Sequence, residues 1–242
     1  MIAQEPTSTQ NEVFRDPKGL QILKASIEMM APATTQNNPN VAISGTVFAP
    51  STPNAASGTF TAKLLGKHQL IQSAVGGHNS RSVVHGTYGK VEHDGAAKPF
   101  SPSKFANVTS GIFPSLDNWT TFDKSNVSVR ILDDQTIEGT VCYQIMVGLP
   151  ANYIIAGHST YDIIIFVSKD SGILKAMDRA LAETRVYSPR LRERFVYDDY
   201  KSFDGLVLPS TITRYISNTP VTILHIDTIN THQNFTEKDL DF

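Results

Sequence analysis

Seven histidines are the residues that most invite a search for metal or catalytic chemistry in this 242-residue sequence, at positions 68, 78, 85, 93, 158, 225 and 232. None of them forms a His-x-His or His-Glu-x-x-His motif, the spacings that bring two ligands to one face of an element. His85 and His93 lie at an even separation along one predicted strand, but a set of three can be chosen from seven dispersed histidines in many ways. The sequence therefore predicts no metal site and no cofactor.

The candidate nucleophiles lack the surroundings that catalysis requires. His158 and Ser159 are adjacent, but a nucleophile elbow needs Gly-x-Ser-x-Gly between a strand and a helix. Cys142, the single cysteine, lies among alternating apolar residues, whereas a catalytic thiolate needs an electropositive neighbourhood. The pairs Asp133–Asp134 and Asp198–Asp199 are typical of turns and of solvated strand positions, because adjacent strand residues point to opposite faces. We therefore expect no enzymatic activity, and a hydrolase would need a His/Ser/Asp set that converges in a cleft.

The charge balance excludes several classes of partner. Twenty-one Lys and Arg against 23 Asp and Glu give a net charge of −2, and 18% of the residues are charged, below the roughly 25% of an average domain. Such a chain has little capacity to neutralise nucleic-acid phosphates or to bind an anionic membrane through a polybasic run. The longest apolar run, Ile163–Val167, is far shorter than the roughly 18 residues of a membrane span. We expect neither nucleic-acid binding nor a membrane-spanning segment.

One helix and a long series of strands must position the remaining side chains. Asp16 as an N-cap and Pro17 at the first helical position predict an amphipathic helix over about 17–30. From position 41 onwards the apolar period is two, and Gly, Asn and Asp turns divide the chain into about 10 or 11 antiparallel strands. The segment 103–116 has a broken helical period and predicts a short helix, followed by a lid-like loop with Trp119 and Phe122.

These elements favour an α+β, mainly β architecture. The prediction is a strongly curved antiparallel sheet forming an incomplete, half-open barrel, with the N-terminal helix and the mid-chain lid on its concave side. Residues 17–242 form one domain in this prediction, after a flexible segment 1–16. The concave face carries the predicted binding site for an apolar ligand, with ten candidates: Phe60, Leu64, Val129, Ile131, Tyr143, Ile145, Ile163, Ile165, Phe195 and Tyr197.

The run Phe195–Ile212 in the last third of the chain contains two tyrosines and an Asp204-Gly205-Leu206 turn before Leu208-Pro209. This pattern resembles LolA-like outer-membrane lipoprotein-sorting proteins. The strand-turn-strand Ile165–Leu174 precedes it as in that family, and Ile226–Asn230 with Phe235-Thr236 fits its ending. The resemblance covers about residues 138–242 best, and more loosely the order of a helix followed by a strand meander in the N-terminal half. It implies an incomplete barrel with an internal helix and lid, exported to a periplasm, that holds acyl chains or lipidated partners.

Two functions of different classes remain open from the sequence. The first is a monomeric, exported, non-enzymatic carrier for a lipid, a lipoprotein acyl chain or another apolar ligand. Its export is also suggested by Met1–Ala3 followed by polar, Thr-rich residues, which resembles the end of a signal peptide. The alternative is a structural or interaction module with a fully packed interior, acting through surface loops or edge strands.

Overall fold

A computed structural model describes residues 13–31, 40–51, 55–65, 68–85, 88–99, 122, 124–150, 160–180, 192–231 and 233–241. They form one α-helix, fourteen strands and a C-terminal 3₁₀ turn. The helix α1 spans Pro17–Met30, and the 3₁₀ turn spans Glu237–Leu240. The strands are β1 Asn40–Ala49, β2 Ala56–Leu65, β3 His68–Val75, β4 His78–His85, β5 Tyr88–His93, β6 Ala96–Pro99, β7 Ser128–Ile131, β8 Gln135–Ile137, β9 Thr140–Pro150, β10 Thr160–Ser168, β11 Leu174–Ala180, β12 Arg192–Phe203, β13 Leu206–Ile216 and β14 Thr219–Asn230.

The helix α1 begins where the sequence predicts. Asp16 caps it, because its Oδ1 accepts a hydrogen bond from the Gly19 backbone N–H at 3.0 Å, and Pro17 occupies a first-turn position where its missing N–H costs nothing. The helix ends at Met30, and Ala31 follows in an extended conformation. Its buried residues recur at helical spacing along one stripe: Gly19, Leu23, Ser26, Ile27 and Met30.

All strands belong to one antiparallel sheet that is not closed. Its order is β6-β5-β4-β3-β2-β1-β14-β13-β12-β11-β10-β9-β7, with β8 paired to β9. Neighbouring strands are successive along the chain except where β1 pairs with β14 and β7 with β9. The predicted mainly β, incomplete barrel with an N-terminal helix is therefore confirmed. The strand count is higher than the predicted 10 or 11, since the described ranges already contain fourteen.

The two faces of the sheet are packed differently. The face that carries α1, called here the covered face, holds the main apolar cluster, which includes Leu23, Phe60, Ile145 and Phe195. The opposite, outer face carries a smaller cluster: Ile137, Cys142, Phe166, Ala176 and Val196. The covered face corresponds to the concave face of the sequence prediction.

The C-terminal 3₁₀ turn docks on the first strands through one buried side chain. Leu240 has no solvent exposure and packs with Leu70 and Val83. Thr236 and Asp239 close the turn, because the Asp239 carboxylate accepts hydrogen bonds from the Thr236 backbone and hydroxyl, each at 2.8 Å. These bonds hold the pKa of Asp239 below its usual value. The chain end is thus fixed to β3 and β4.

Several sequence predictions fall outside the described residues. These are the flexible start of the chain over residues 1–12, the short helix over 103–116, Trp119, and the His158–Ser159 pair. Phe122, at the end of the predicted lid, is described and is buried in the main cluster. In the described ranges, no helix has the length and apolarity to cross a membrane.

Candidate ligand-binding site

All ten predicted binding residues lie in the main apolar cluster of the covered face. Strand register explains why they meet, since residues directly opposite one another in paired strands point to the same face. One row across five strands runs through Ile131, Ile145, Ile165, Met177 and Phe195. Phe60 on β2 and Phe195 on β12 are 135 positions apart in the sequence, and the fold brings both into this cluster.

The helix α1 covers this cluster closely. It contacts β7, β10 and β13, and Leu23 and Met30 are each only 1% exposed. A Cβ added at Gly19 would lie 3.1 Å from Val129 Cγ1 and 3.3 Å from Ile131 Cγ1. The first turn of the helix therefore rests directly on two of the predicted binding residues.

The ten residues are packed beneath this cover. Eight of them are 4% exposed or less, and Ile131 and Tyr143 are partly buried against the cluster. Two cavities on the described residues are small, about 150 and 160 Å³, and Tyr197, one of the ten, lines the first of them. A ligand that reaches these side chains must therefore displace part of the cover.

Two hydroxyls are buried in this interior at a cost. Tyr197 Oη lies in the sheet and Ser26 Oγ on the docked stripe of α1, and neither has a hydrogen-bond partner within the ranges that the structure describes. Burial raises the pKa of Tyr197 well above its ordinary value. An unpaired buried hydroxyl costs about 1–3 kcal/mol. The contact between helix and sheet is therefore weaker than its apolar area suggests.

The candidate catalytic residues have structural partners. Asp134 pairs with Lys169 and Asp198 with Lys175, while Asp199 accepts a hydrogen bond from Thr211 at 3.0 Å. These carboxylates stabilise turns and strand pairs. The acidic pairs thus have the roles that the sequence favours for them.

Cys142 is buried in the smaller apolar cluster of the outer face. Burial raises the pKa of its thiol, and the positive charge of Lys175 opposes this shift only in part. A raised pKa keeps the thiol protonated and poorly nucleophilic at neutral pH.

The described histidines lie on β3, β4, β5 and β14. His85 and His93 lie on different strands, β4 and β5, so their placement on one strand is wrong. His85 instead faces His68 across β3 and β4, with the two Nδ1 atoms 3.1 Å apart. Within the described ranges, no three His, Cys, Asp or Glu side chains come close enough together to hold a metal ion.

One charged group on the covered face was not predicted. Glu193 has no solvent exposure and bonds to both Arg179 and Arg214. The spacing carried a signal, because Glu193 is in phase with Phe195 and Tyr197 along β12. Its partners, 14 and 21 positions away, become evident only with the strand register.

Comparison with known proteins supports the fold. No family model matches the sequence, and no curated protein matches it significantly. The chain is similar in structure to a LolA superfamily protein from Nitrosomonas europaea, with a TM-score of 0.60 at 12% identity over 93% of this chain and 97% of the other. It is also similar to a domain from Vibrio parahaemolyticus named for outer membrane lipoprotein sorting, with a TM-score of 0.58 at 12% identity over 93% and 96% of the two chains.

A third similar structure is a DUF1329 family protein from Desulfovibrio piger, with a TM-score of 0.55 at 12% identity over 92% of this chain and 97% of the other. These three matches span nearly the whole chain. Identity of 12% in each case shows a common fold and leaves the function to be argued from the site. The resemblance seen in the sequence is confirmed: this chain has the fold of the LolA-like lipoprotein-sorting proteins.

Proposed function

We propose that the protein is an exported, non-enzymatic carrier that holds a lipid, a lipoprotein acyl chain or another apolar ligand on its covered face. The observation that carries the proposal is the placement of all ten candidate residues in one apolar cluster, on one face of an unclosed sheet, beneath a helix. An apolar cluster under a single helix is converted into an apolar site when that helix moves away.

The energies of cover and ligand are comparable. The stripe of α1 buries Leu23, Ile27 and Met30, and full burial of each such side chain stabilises by about 1.5–3 kcal/mol, or about 5–9 kcal/mol together. A chain of twelve methylenes gains about 10 kcal/mol on burial at about 0.8 kcal/mol for each group. An acyl chain of ordinary length therefore offsets the displacement of α1, whereas a short apolar molecule does not.

The unpaired hydroxyl of Ser26 lowers the cost of this exchange. It lies on the docked stripe with no partner in the described ranges, so docking of α1 desolvates it without compensation, and displacement returns it to water. A serine at this position makes the helix a weaker cover than an alanine would.

Export and lipoprotein cargo are the finer parts of the proposal. The V. parahaemolyticus domain is named for sorting outer membrane lipoproteins, and we extend this class of cargo to this chain, together with the export that its first residues suggest. The single buried cysteine is compatible with an oxidising compartment, because it offers no exposed thiol for unwanted pairing.

The first experiment asks whether the protein carries a lipid. Protein purified from its native host is extracted with organic solvent, and the extract is analysed by mass spectrometry against an extract of mock-purified fractions. We expect a stoichiometric lipid or acylated peptide. In parallel, the stripped protein is titrated with N-phenyl-1-naphthylamine, an uncharged apolar dye, and with dodecanol. Absence of both a co-purifying lipid and dye binding would contradict the carrier function.

The second experiment tests α1 as the cover. Ser26→Ala removes the unpaired hydroxyl from the docked stripe, and Gln21→Ala is the matched control because Gln21 is exposed on the same helix. Both substitutions raise helix propensity slightly, but only Ser26→Ala strengthens docking, by about 1–3 kcal/mol. We expect Ser26→Ala to be more stable and to bind dodecanol about 5 to 150 times more weakly. Equal affinity in the wild type and Ser26→Ala, with Ser26→Ala more stable, would show that ligands bind without displacing α1.

A further inference from the structure

Three charged side chains lie at the end of two apolar rows on the covered face. The row that runs through Ile165 and Phe195 continues on β13 with Arg214. The adjacent row runs from Val129 through Ile163 to Arg179 on β11 and Glu193 on β12. Each apolar row thus leads directly to a charged group near the ends of β11, β12 and β13.

Two arginines share one buried carboxylate in this group. Glu193 Oε2 accepts a hydrogen bond from Arg179 Nε, and Glu193 Oε1 accepts one from Arg214 Nε. Glu193 has no solvent exposure and the Arg179 side chain has 2%, with its guanidinium 5.1 Å from the centre of the Phe195 ring. Two guanidinium groups thus contact one carboxylate in surroundings that are largely shielded from water.

Two other ion pairs in the described ranges join an arginine to a carboxylate. On the outer face, Arg194 donates from Nε and Nη2 to the two oxygens of Asp178, at 2.6 and 2.7 Å. Arg81 likewise pairs with Glu92. Among the carboxylates in the described ranges, Glu193 alone bonds to two arginines. Because Glu193 is shared, it contacts Arg214 through Nε alone, whereas Asp178 binds both Nε and Nη2 of Arg194.

Arg214 is the member of the group that a ligand can reach. Its side chain is 34% exposed, and its one hydrogen bond to the described residues is made by Nε. The carboxylate of Glu193 therefore fixes the guanidinium while the two terminal nitrogens, Nη1 and Nη2, keep their capacity to donate. That edge of a guanidinium matches two oxygens of a carboxylate or a phosphate in parallel.

We propose that Arg214, oriented by Glu193 and supported by the charge of Arg179, binds the anionic head group of the carried ligand, a phosphate or a carboxylate. The inference rests on the proposed carrier function and specifies its ligand. The apolar chain lies along the rows that end at Phe195 and Ile163, and its head group meets Arg214 where those rows end. The ligand class is then an anionic amphiphile rather than a neutral oil.

The test compares ligands with one chain and different head groups. Displacement of N-phenyl-1-naphthylamine is measured with dodecyl phosphate, dodecanoate, dodecanol and dodecyltrimethylammonium, and with inorganic phosphate alone. A charge-assisted bidentate contact predicts that wild-type protein binds the two anions about 10 to 100 times more tightly than dodecanol. Arg214→Gln should lose this preference while its affinity for dodecanol stays unchanged. Arg214→Lys, which keeps the charge without the planar fork, should retain an intermediate preference.

Arg194→Gln is the matched control. It removes the same charge from the same end of the sheet and also breaks an ion pair, but on the outer face. It should leave the preference for anions intact. Dodecanol binding and far-UV circular dichroism report whether each variant is folded, and the Lys variant preserves the contact to Glu193 if the Gln variant does not fold.

The outcomes separate this inference from the proposed function. If wild-type protein binds all four chains equally, or if Arg194→Gln and Arg214→Gln reduce the anion preference equally, the head-group site is wrong while the carrier function stands. Binding of inorganic phosphate at Arg214 with no preference among the chains would also overturn it, since the group would then be a free anion site. If neither the dye nor dodecanol binds to the wild type, the carrier function itself fails.

Discussion

The buried hydroxyl of Tyr197 leads to a prediction with an unusual sign. Replacement of a buried tyrosine by phenylalanine normally costs stability when a hydrogen bond is lost. Tyr197 has no solvent exposure, and its Oη has no hydrogen-bond partner within the described ranges. We therefore expect Tyr197→Phe to increase the free energy of unfolding.

The expected magnitude follows from two opposing contributions. Removal of an unpaired buried hydroxyl stabilises by about 1–3 kcal/mol. The small space that it leaves costs about 0.3 kcal/mol, for roughly 12 Å³ at about 24 cal/mol per Å³. The net gain is about 1–2.5 kcal/mol, which raises Tm by about 2–8 °C for a chain of this length. Urea denaturation followed by far-UV circular dichroism measures the gain, and an unchanged m value verifies the comparison.

Tyr200, on the same strand, provides the matched control. Its hydroxyl donates a hydrogen bond to the Leu174 carbonyl oxygen, so Tyr200→Phe should lower the free energy of unfolding by about 0.5–1.5 kcal/mol. Two identical substitutions three positions apart are thus expected to have opposite signs. A loss of stability in Tyr197→Phe equal to that in Tyr200→Phe would refute the reasoning, because it would mean that the Tyr197 hydroxyl is satisfied in solution.

Three further predictions concern the chain end, high pH and the cysteine. Leu240→Ala should cost about 2–5 kcal/mol, since Leu240 has no exposure and packs on Leu70, and faster carboxypeptidase release of the chain end would report undocking. Burial raises the pKa of Tyr197 and of Tyr200 in the folded protein. Their phenols therefore ionise more readily in the unfolded state, so the free energy of unfolding should be unaffected by them below pH 10 and should fall as the pH rises above the unfolded pKa of about 10. Urea titrations between pH 10 and 12 should show a smaller fall in the double variant Tyr197→Phe/Tyr200→Phe. Cys142, whose thiol pKa is raised by burial, should react with iodoacetamide at pH 8 at least tenfold more slowly in native protein than in urea, and equal rates would contradict its burial.

The helix α1 could be predicted from the sequence because its determinants are local. Asp16 and Pro17 fix its beginning, and the apolar stripe fixes the side that docks, without reference to any distant residue. The shared face of the ten binding candidates could also be predicted from the sequence. A period of two assigns side chains to faces, and the buried face of a mainly β sheet collects them whatever the register. Their role in binding stays a prediction.

Edge strands were the part of the fold that the sequence did not predict. Strand β6, Ala96–Pro99, is exposed at all four positions. Its side chains therefore show no alternation, and the Gly, Ala, Pro and Ser residues of 94–102 predict a loop from the sequence alone. Its strand character comes from backbone pairing with β5. The sequence predicts one strand over about residues 81–93, because both halves are apolar at intervals. The structure divides this segment into β4 and β5, which pair with each other.

The low charge of the chain now has a more specific meaning for binding. With 18% charged residues and a net charge of −2, the apolar part of the affinity is expected to be hydrophobic and nearly independent of salt. The contact to Arg214 is different, because the side chain is partly exposed and its attraction for an anion is screened over about 10 Å at 0.1 M salt. Raising the salt concentration should therefore narrow the difference in affinity between dodecyl phosphate and dodecanol while leaving dodecanol itself unaffected. A single salt titration therefore distinguishes the two contributions to affinity, because the contact to Arg214 depends on the salt concentration and the apolar contact to the covered face does not.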